Sequence, residues 1–141
     1  EPFAYKTIKK LGGEAILLSS RNLYELTFNL LTKKQATPES EQIAEKLVGA
    51  LKQAVEYINA NEAEAQQLVR ERLSLDKSFI KWIWDDYLYD LSLHRSLILS
   101  LENEARWAID RGLTDSSVIP NYRELMNPRA LSSVSPHSVS F

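Results

Sequence analysis

The sequence predicts an α/β fold dominated by helices, with two or three short strands and four main helices. Three observations lead to this class. Apolar residues recur every three or four positions through most of the chain after residue 37, which is the period of an amphipathic helix. Two short stretches before residue 33 have strand-like patterns instead. Capping residues and glycines stand at most of the expected helix boundaries.

The first part of the chain predicts a short helix followed by two strands. The helix covers 3–11 and ends at Gly12-Gly13, because glycine tolerates the left-handed backbone that closes a helix. The apolar run 15–18 does not alternate, which is typical of a buried strand in a parallel sheet. Residues 23–32 place apolar side chains on one face at period two, which favours a second strand.

The four main helices follow. Each has a start signal, either a side chain that can cap free N–H groups or a proline suited to the first turn. The predicted ranges are 38–59, 62–73, 77–86 and 93–111, with start signals at Thr37-Pro38, Asn61, Asp76 and Ser92. In chain order, the predicted inward residues are Ile43, Leu47, Leu51, Ala54, Val55 and Ile58; Ala65, Leu68, Val69 and Leu73; Phe79, Ile80, Ile83 and Trp84; and Leu93, Leu97, Leu101, Ala105, Ala108 and Ile109. Trp82 falls off the apolar stripe of its helix, so it would cover a neighbouring element or face a partner. Residues 87–91 allow a short strand or an extended link, and one helical turn is expected near 122–126. The serine-rich stretch 132–141 allows an ordered edge segment or a flexible end.

Composition limits the classes of function. The chain has 141 residues, of which 44% are hydrophobic and 26% charged, with a net charge of −2. These values are ordinary for one globular domain. A weakly acidic chain does not favour a nucleic-acid partner, which needs a basic face. No apolar run reaches the ~18 residues of a membrane span. The lack of cysteine excludes disulfides, thiolate chemistry and cysteine-ligated zinc.

Catalytic chemistry is weakly represented. The two histidines, His94 and His137, have no partner at metal-ligand spacing, and His94 falls inside a predicted helix. A serine–histidine–aspartate triad stays open because triads are spatial, although no nucleophile-elbow pattern occurs. The adjacent carboxylates of Asp85 and Asp86 point different ways on a helix. We therefore expect a binding protein that is not an enzyme and has no catalytic residue, metal or cofactor.

Four segments of the chain resemble one known family. The segments are Glu1-Pro2-Phe3-Ala4-Tyr5 with Lys10-Leu11-Gly12-Gly13 and 15–18, the stretch 44–73, the stretch 91–113, and Pro120-Asn121-Tyr122 with Leu125, Asn127-Pro128 and Ala130-Leu131. In this order they resemble the C-terminal portion of ABC-transporter solute-binding proteins of the nitrate/sulfonate/taurine, or pyrimidine-precursor-like, type.

The resemblance implies part of a type II periplasmic-binding-protein fold, in which two α/β lobes close on a ligand. Residues 1–22 would form the end of the second lobe and the hinge, 23–131 the C-terminal part of the first lobe, and 132–141 a tail or linker. The family's first half has no counterpart here. The predicted strands then need a sheet from sequence outside this chain, from rearranged helices, or from a second copy, and exchange of elements would give a homodimer.

The implied function is extracytoplasmic or periplasmic binding of a small solute for import through an ABC permease. The solute would be a sulfonate, nitrate, taurine or a pyrimidine precursor. The alternative is a ligand-sensing input domain of a membrane-bound bacterial receptor, whose partner is a signalling domain of the same chain and whose full-length form has a membrane anchor. A third hypothesis, a pyrimidine-precursor biosynthetic enzyme, is disfavoured because histidine and cysteine chemistry is not clustered.

The resemblance also implies three ligand-binding residues, Glu1, Tyr5 and Arg21. The family's Glu-Pro segment faces the cleft, where the Glu1 carboxylate would accept hydrogen bonds from an amine, amidine or hydroxyl and repel a bare anion. The other interpretation of Glu1 is a charged end that faces water. Tyr5 would line the same wall or pack within the fold. Arg21 would bind an acidic group bidentately near the hinge, or face solvent.

Overall fold

The computed structural model describes residues 1–18, 26–33 and 37–141. In these ranges the chain is mostly helical and contains one two-stranded parallel sheet. The prediction of a helix-dominated α/β class is confirmed at that level. The chain divides into two compact units. The first comprises Glu1–Thr32 and Tyr57–Tyr89, and the second comprises Lys33–Glu56 and Asp90–Phe141.

The first six helices follow the predicted order, and the seventh was not predicted. The helices are α1 (Phe3–Leu11), α2 (Pro38–Ala60), α3 (Glu62–Leu73), α4 (Lys77–Ile83), α5 (Arg95–Asp110), α6 (Tyr122–Leu125) and α7 (Arg129–Val134). Short 3-10 turns cover Gly12–Glu14, Trp84–Asp86 and Pro136–Ser138, and the two strands are β1 (Leu93–His94) and β2 (Val139–Ser140). The expected helix over 77–86 is therefore an α-helix that tightens into a 3-10 turn.

Most of the predicted helix ends are confirmed. Gly12 closes α1 with φ of 55°. The Asp76 carboxylate accepts a hydrogen bond from the backbone N–H of Ser78 at 2.8 Å and caps α4. Thr37 and Ser40 cap α2 reciprocally, each side-chain oxygen accepting from the other backbone N–H. The prediction that Asn61 caps α3 was wrong. Its side-chain amide donates to the Tyr57 carbonyl and accepts no hydrogen bond from the first turn of α3.

The core of the first unit lies where α3 meets α4. Its buried residues are Ala65, Ile80, Ile83 and Trp84, with Ile58, Val69, Leu75, Phe79, Trp82 and Tyr89 packed against them. The Trp84 ring lies 4.9 Å from that of Tyr89, centroid to centroid. Two predicted core residues of α3, Leu68 and Leu73, are exposed because this helix meets the core mainly through Ala65 and Val69.

The second unit is held by α2, α5 and the C-terminal segment. Its buried side chains are Ile98, Ala130 and Leu131. The Lys52 ammonium donates to the Val134 carbonyl at 2.8 Å, so the Lys52 side of α2 packs on α7. The predicted inward face of α2 was wrong for most of its length. Of its six residues, only Val55 and Ile58 are half-buried, and Ile43, Leu47, Leu51 and Ala54 are exposed.

The two predicted strands do not form in the residues that the structure describes. Residues 15–18 and 26–32 lie outside any strand, and the rest of the predicted second strand, 23–25, lies outside the described residues. A strand needs a hydrogen-bonded neighbour as well as an apolar pattern, and these segments have none in the described sheet. Residues 87–91 form the extended link that was one of two expectations.

The two strands that do form, β1 and β2, were not predicted as strands. Leu93 and His94 were placed at the start of a helix, but they pair in parallel with Val139 and Ser140. Helix α5 consequently begins at Arg95, because its first two predicted residues are held extended by this pairing. The C-terminal stretch is thus ordered as an edge segment.

The packing between α3 and α4 predicts that alanine substitution costs much more unfolding free energy at a buried aliphatic residue of the first unit than at an exposed one. Ile80 is 3% exposed and Leu88 is 83% exposed. Ile80→Ala is expected to lower the free energy of unfolding by about 2–5 kcal/mol because it leaves a cavity. Leu88→Ala should change it by less than about 0.5 kcal/mol. Urea unfolding followed by circular dichroism measures both; equal losses would contradict the position of the core.

Candidate functional site

Two of the three predicted ligand-binding residues lie together on one surface of the first unit. This surface, the α1–α4 face, consists of Glu1, Tyr5 and Lys9 from α1 and the residue pair before it, and of Asp76, Ser78 and Trp82 from α4 and its cap. The third residue, Arg21, lies outside the described residues.

The Glu1 carboxylate joins the two helices. Its Oε2 accepts a hydrogen bond from the backbone N–H of Tyr5 at 3.1 Å, which places negative charge at the N-terminus of α1. Its Oε1 accepts from the indole N–H of Trp82 at 3.4 Å. Each carboxylate oxygen has two acceptor positions, so Glu1 can accept further hydrogen bonds from a solute. Glu1 is exposed as well as hydrogen-bonded, so both interpretations of this residue stay predictions.

Tyr5 is half-buried and contributes both a ring and a hydroxyl to the face. Its ring centroid lies 5.1 Å from Phe79 and 5.8 Å from Trp82, in tilted and edge-on arrangements. Its hydroxyl is 2.5 Å from Ser78 Oγ. Packing against α4 therefore fixes the tyrosine ring in place while one edge stays at the surface.

An ion pair closes the other end of the face. Lys9 Nζ lies 3.5 Å from Asp76 Oδ2, donates to the Tyr5 hydroxyl at 3.3 Å, and sits 5.4 Å from the Tyr5 ring centroid. The bond to Tyr5, followed by the charge of Asp76, raises the pKa of Lys9. Both charged groups are exposed, so the pair by itself contributes little stability.

The α1–α4 face thus brings together groups of different chemistry. The Glu1 carboxylate accepts from the Tyr5 backbone, and the Lys9 ammonium lies 5.4 Å from the Tyr5 ring centroid. The Ser78 hydroxyl, the Trp82 indole and the Phe79 ring also contact Tyr5. Such a set can bind a small molecule that carries both charges.

Sequence reasoning found only part of this face. Glu1 and Tyr5 came from the family resemblance, and Asp76 was recognised only as a helix cap. Lys9 and Ser78 were missed because no sequence motif marks them, and only the packing of α1 on α4 brings them together. Trp82 did give a signal, since it falls off the apolar stripe of its helix and was expected to cover a neighbouring element or face a partner. It contacts Glu1 and Tyr5.

The residues considered for catalysis lie elsewhere. His94 is in β1 and not in a helix, and its Nδ1 is 2.9 Å from Ser140 Oγ, so this exposed contact joins the two strands. His137 is exposed in a 3-10 turn, and Asp85 and Asp86 lie in the turn after α4. Among the described residues, no group of three histidine, aspartate or glutamate side chains could hold a metal.

A shallow cavity of about 210 Å³ lies in the second unit. It is lined by Ala105, Ala108 and Ile109 of α5 and by Val118, Pro120 and Tyr122 of the segment that follows. Its volume is below the ~300 Å³ at which ligand pockets generally begin. The nearby Ser116 hydroxyl is engaged within the loop, with the carbonyl and the N–H of Val118. We therefore regard the α1–α4 face as the better candidate site.

The hydrogen bonds around Asp76 predict a pH dependence. The bonds from the Ser78 hydroxyl and backbone N–H, and then the charge of Lys9, hold the pKa of Asp76 below its ordinary 3.8. A lowered pKa contributes stability above the unfolded-state value, and this is lost as the pH falls through the folded-state value. Below about pH 4, wild-type chain should therefore lose its cap on α4 progressively.

Asp76→Asn is the matched variant, because asparagine keeps a capping oxygen but has no charge to titrate. The unfolding free energy of both proteins would be measured from about pH 6 to pH 2. The difference between them should shrink as the pH falls through the Asp76 transition. Superimposable pH profiles would show that Asp76 does not contribute through its charge.

Within the described ranges, no helix combines the length and the apolar character needed to cross a membrane. No family model, no curated protein and no solved structure matches the chain.

Proposed function

We propose that this chain is part of an extracytoplasmic solute-binding protein that delivers a small organic solute to an ABC permease. It would bind the solute without altering it. In this proposal the chain is the C-terminal portion of a type II periplasmic-binding-protein fold, and the α1–α4 face forms one wall of the cleft between two lobes.

One observation carries the proposal. Glu1 and Tyr5, which the family resemblance marks as cleft residues, lie in contact through a hydrogen bond, and both contact Trp82. Two residues so near a helix start would be in contact in many proteins. The added contact with Trp82 holds the side chains of Glu1 and Tyr5 against α4, so residues of two helices form one defined face.

The exposed segments of the first unit support the same proposal. Ile16 and Phe28 are 87% and 80% exposed, in segments that form neither helix nor strand although their sequences have a strand pattern. A strand pattern of this kind is typical of residues that belong to a larger sheet. This is what one expects of a fold whose remaining strands come from outside these residues.

The charges of the face favour one solute class among those expected. Glu1 would repel a bare anion such as nitrate. A zwitterionic aminosulfonate such as taurine can direct its ammonium group to Glu1, and its sulfonate group can take the place of Asp76 in the ion pair with Lys9. We therefore propose taurine-like aminosulfonates ahead of plain sulfonates, nitrate and pyrimidine precursors.

Thermal unfolding with added solutes tests this proposal. Taurine, ethanesulfonate, nitrate and an aminopyrimidine precursor would each be added to the full-length protein, in which both walls of the proposed cleft are present, and binding would be confirmed by titration calorimetry. Taurine at ~100 times its dissociation constant should stabilise the folded state by about 2.7 kcal/mol. Ethanesulfonate, which lacks the ammonium group, should stabilise it less. Chemical change of bound taurine, or no stabilisation by any of the four, would contradict the proposal.

A matched pair of variants tests the role of Glu1. Glu1→Gln keeps an oxygen for the Tyr5 N–H but removes the charge, so taurine affinity should fall at least tenfold, the loss of one charge-assisted hydrogen bond of about 1.5–3 kcal/mol. Glu14→Gln removes an exposed charge of the 3-10 turn after α1 and should leave the affinity unchanged. Equal effects of the two variants would indicate a general effect of net charge.

A further inference from the structure

We propose that Asp76 is a specificity-determining residue of the α1–α4 face, because its carboxylate competes with the anionic group of a solute for the Lys9 ammonium. Its charge lowers the affinity of the face for aminosulfonates, and it favours amines that carry no anionic group. This inference rests on the proposed function, since it concerns which solute the same face selects. It gives Asp76 a role in recognition in addition to its role as a helix cap.

The Asp76 carboxylate is held in place by one oxygen and meets Lys9 with the other. Its Oδ1 accepts hydrogen bonds from the backbone N–H of Ser78 at 2.8 Å and from the Ser78 hydroxyl at 2.6 Å. Its Oδ2 lies 3.5 Å from Lys9 Nζ. Moving the carboxylate away from Lys9 would weaken the cap of α4. Asp76 is therefore a tethered anion at the place where the anionic group of a solute would meet Lys9.

The hydrogen bonds of the face show which contact a solute can replace. The Ser78 hydroxyl donates its one hydrogen to Asp76, so the Tyr5 hydroxyl donates to Ser78 Oγ, 2.5 Å away. The Tyr5 hydroxyl in turn accepts from Lys9 at 3.3 Å. These groups form a closed ring whose longest link is the 3.5 Å contact between Lys9 and Asp76. An anion that replaces this link leaves the cap of α4 intact.

The exposure of the ion pair sets the size of the competition. The Lys9 and Asp76 side chains are 58% and 57% exposed, so a solute anion can reach the ammonium. Exposed pairs contribute little free energy, and a new charge-assisted hydrogen bond can displace one of them. Removing the competing carboxylate should therefore change the affinity for an anionic group by about two- to fivefold.

The balance of charge explains why Asp76 selects between solutes. The carboxylates of Glu1 and Asp76 share the face with the ammonium of Lys9, so these three side chains together are negative. An amine without an anionic group is attracted by this balance and leaves the pair of Lys9 and Asp76 undisturbed. A zwitterion gains less from it and must also replace Asp76 beside Lys9.

Titration calorimetry of the full-length protein with taurine and ethanolamine tests this selection. Ethanolamine has the ammonium group of taurine and a neutral hydroxyl in place of the sulfonate. Asp76→Asn and Asp76→Ser both keep an oxygen that can cap α4 and remove the charge. Both variants should raise the affinity for taurine by about two- to fivefold. Neither should raise the affinity for ethanolamine.

Asp85→Asn is the matched control, because it removes an exposed carboxylate from the 3-10 turn after α4. It should leave both affinities unchanged. If wild-type protein binds taurine, three results would each overturn the inference and leave the proposed function standing. These are an unchanged or lower taurine affinity in either Asp76 variant, an equal gain for ethanolamine, and an equal gain in Asp85→Asn. No taurine binding by the wild type or any variant would overturn both proposals.

The ion pair can also be tested without any solute. The hydrogen bond to Tyr5, followed by the charge of Asp76, raises the pKa of Lys9. Asp76→Asn should therefore lower the pKa of Lys9, whereas Asp85→Asn should not. Nuclear magnetic resonance titration of full-length protein with labelled lysine measures this pKa. The same Lys9 pKa in wild type and Asp76→Asn would show that Asp76 does not hold the ammonium, and would overturn the inference whatever the protein binds.

Discussion

The contact between α1 and α4 is the interaction on which the first unit's surface depends. Tyr5 places its ring against Phe79 and Trp82, and Glu1 accepts hydrogen bonds from both helices. Helix α1 buries no residue completely, so its position is held by these half-buried contacts at its polar edge. The side chains that hold α1 on α4 are the same ones that form the candidate site. A ligand bound there would therefore contact the groups that keep α1 in position.

Much of the helical architecture could be predicted from sequence because its signals are local. Periodicity and caps located the long helices to within a residue or two at most ends, as at Asp76 and Gly12. The strands could not be located in this way. Residues 93–94 form a strand because 139–140 lie beside them, whereas 15–18 form none in the described sheet. The presence of a partner strand depends on residues far along the chain, which a local pattern does not reveal.

The candidate site was predicted only in part for a similar reason. The resemblance pointed to Glu1 and Tyr5, but their neighbours Ser78 and Trp82 are more than seventy residues away. The burial predictions show the same limit. Helix periodicity correctly marks Ile80 as buried, yet it also marks Ile43 and Leu47, which no other element covers in the described structure. A pattern identifies which face could be buried, and the packing partners decide whether it is.

The parallel pair of β1 and β2 has a consequence for how the chain folds. Leu93 and Val139 are paired in the parallel sheet, and α5, α6 and α7 lie between them in the sequence. A long loop of chain must therefore close before the sheet can form. Helices form from near neighbours and do so quickly, whereas pairing over such a separation is slow. The sheet therefore forms late in folding. In a growing nascent chain, α5 can be complete before Val139 and Ser140 are available to pair with Leu93 and His94.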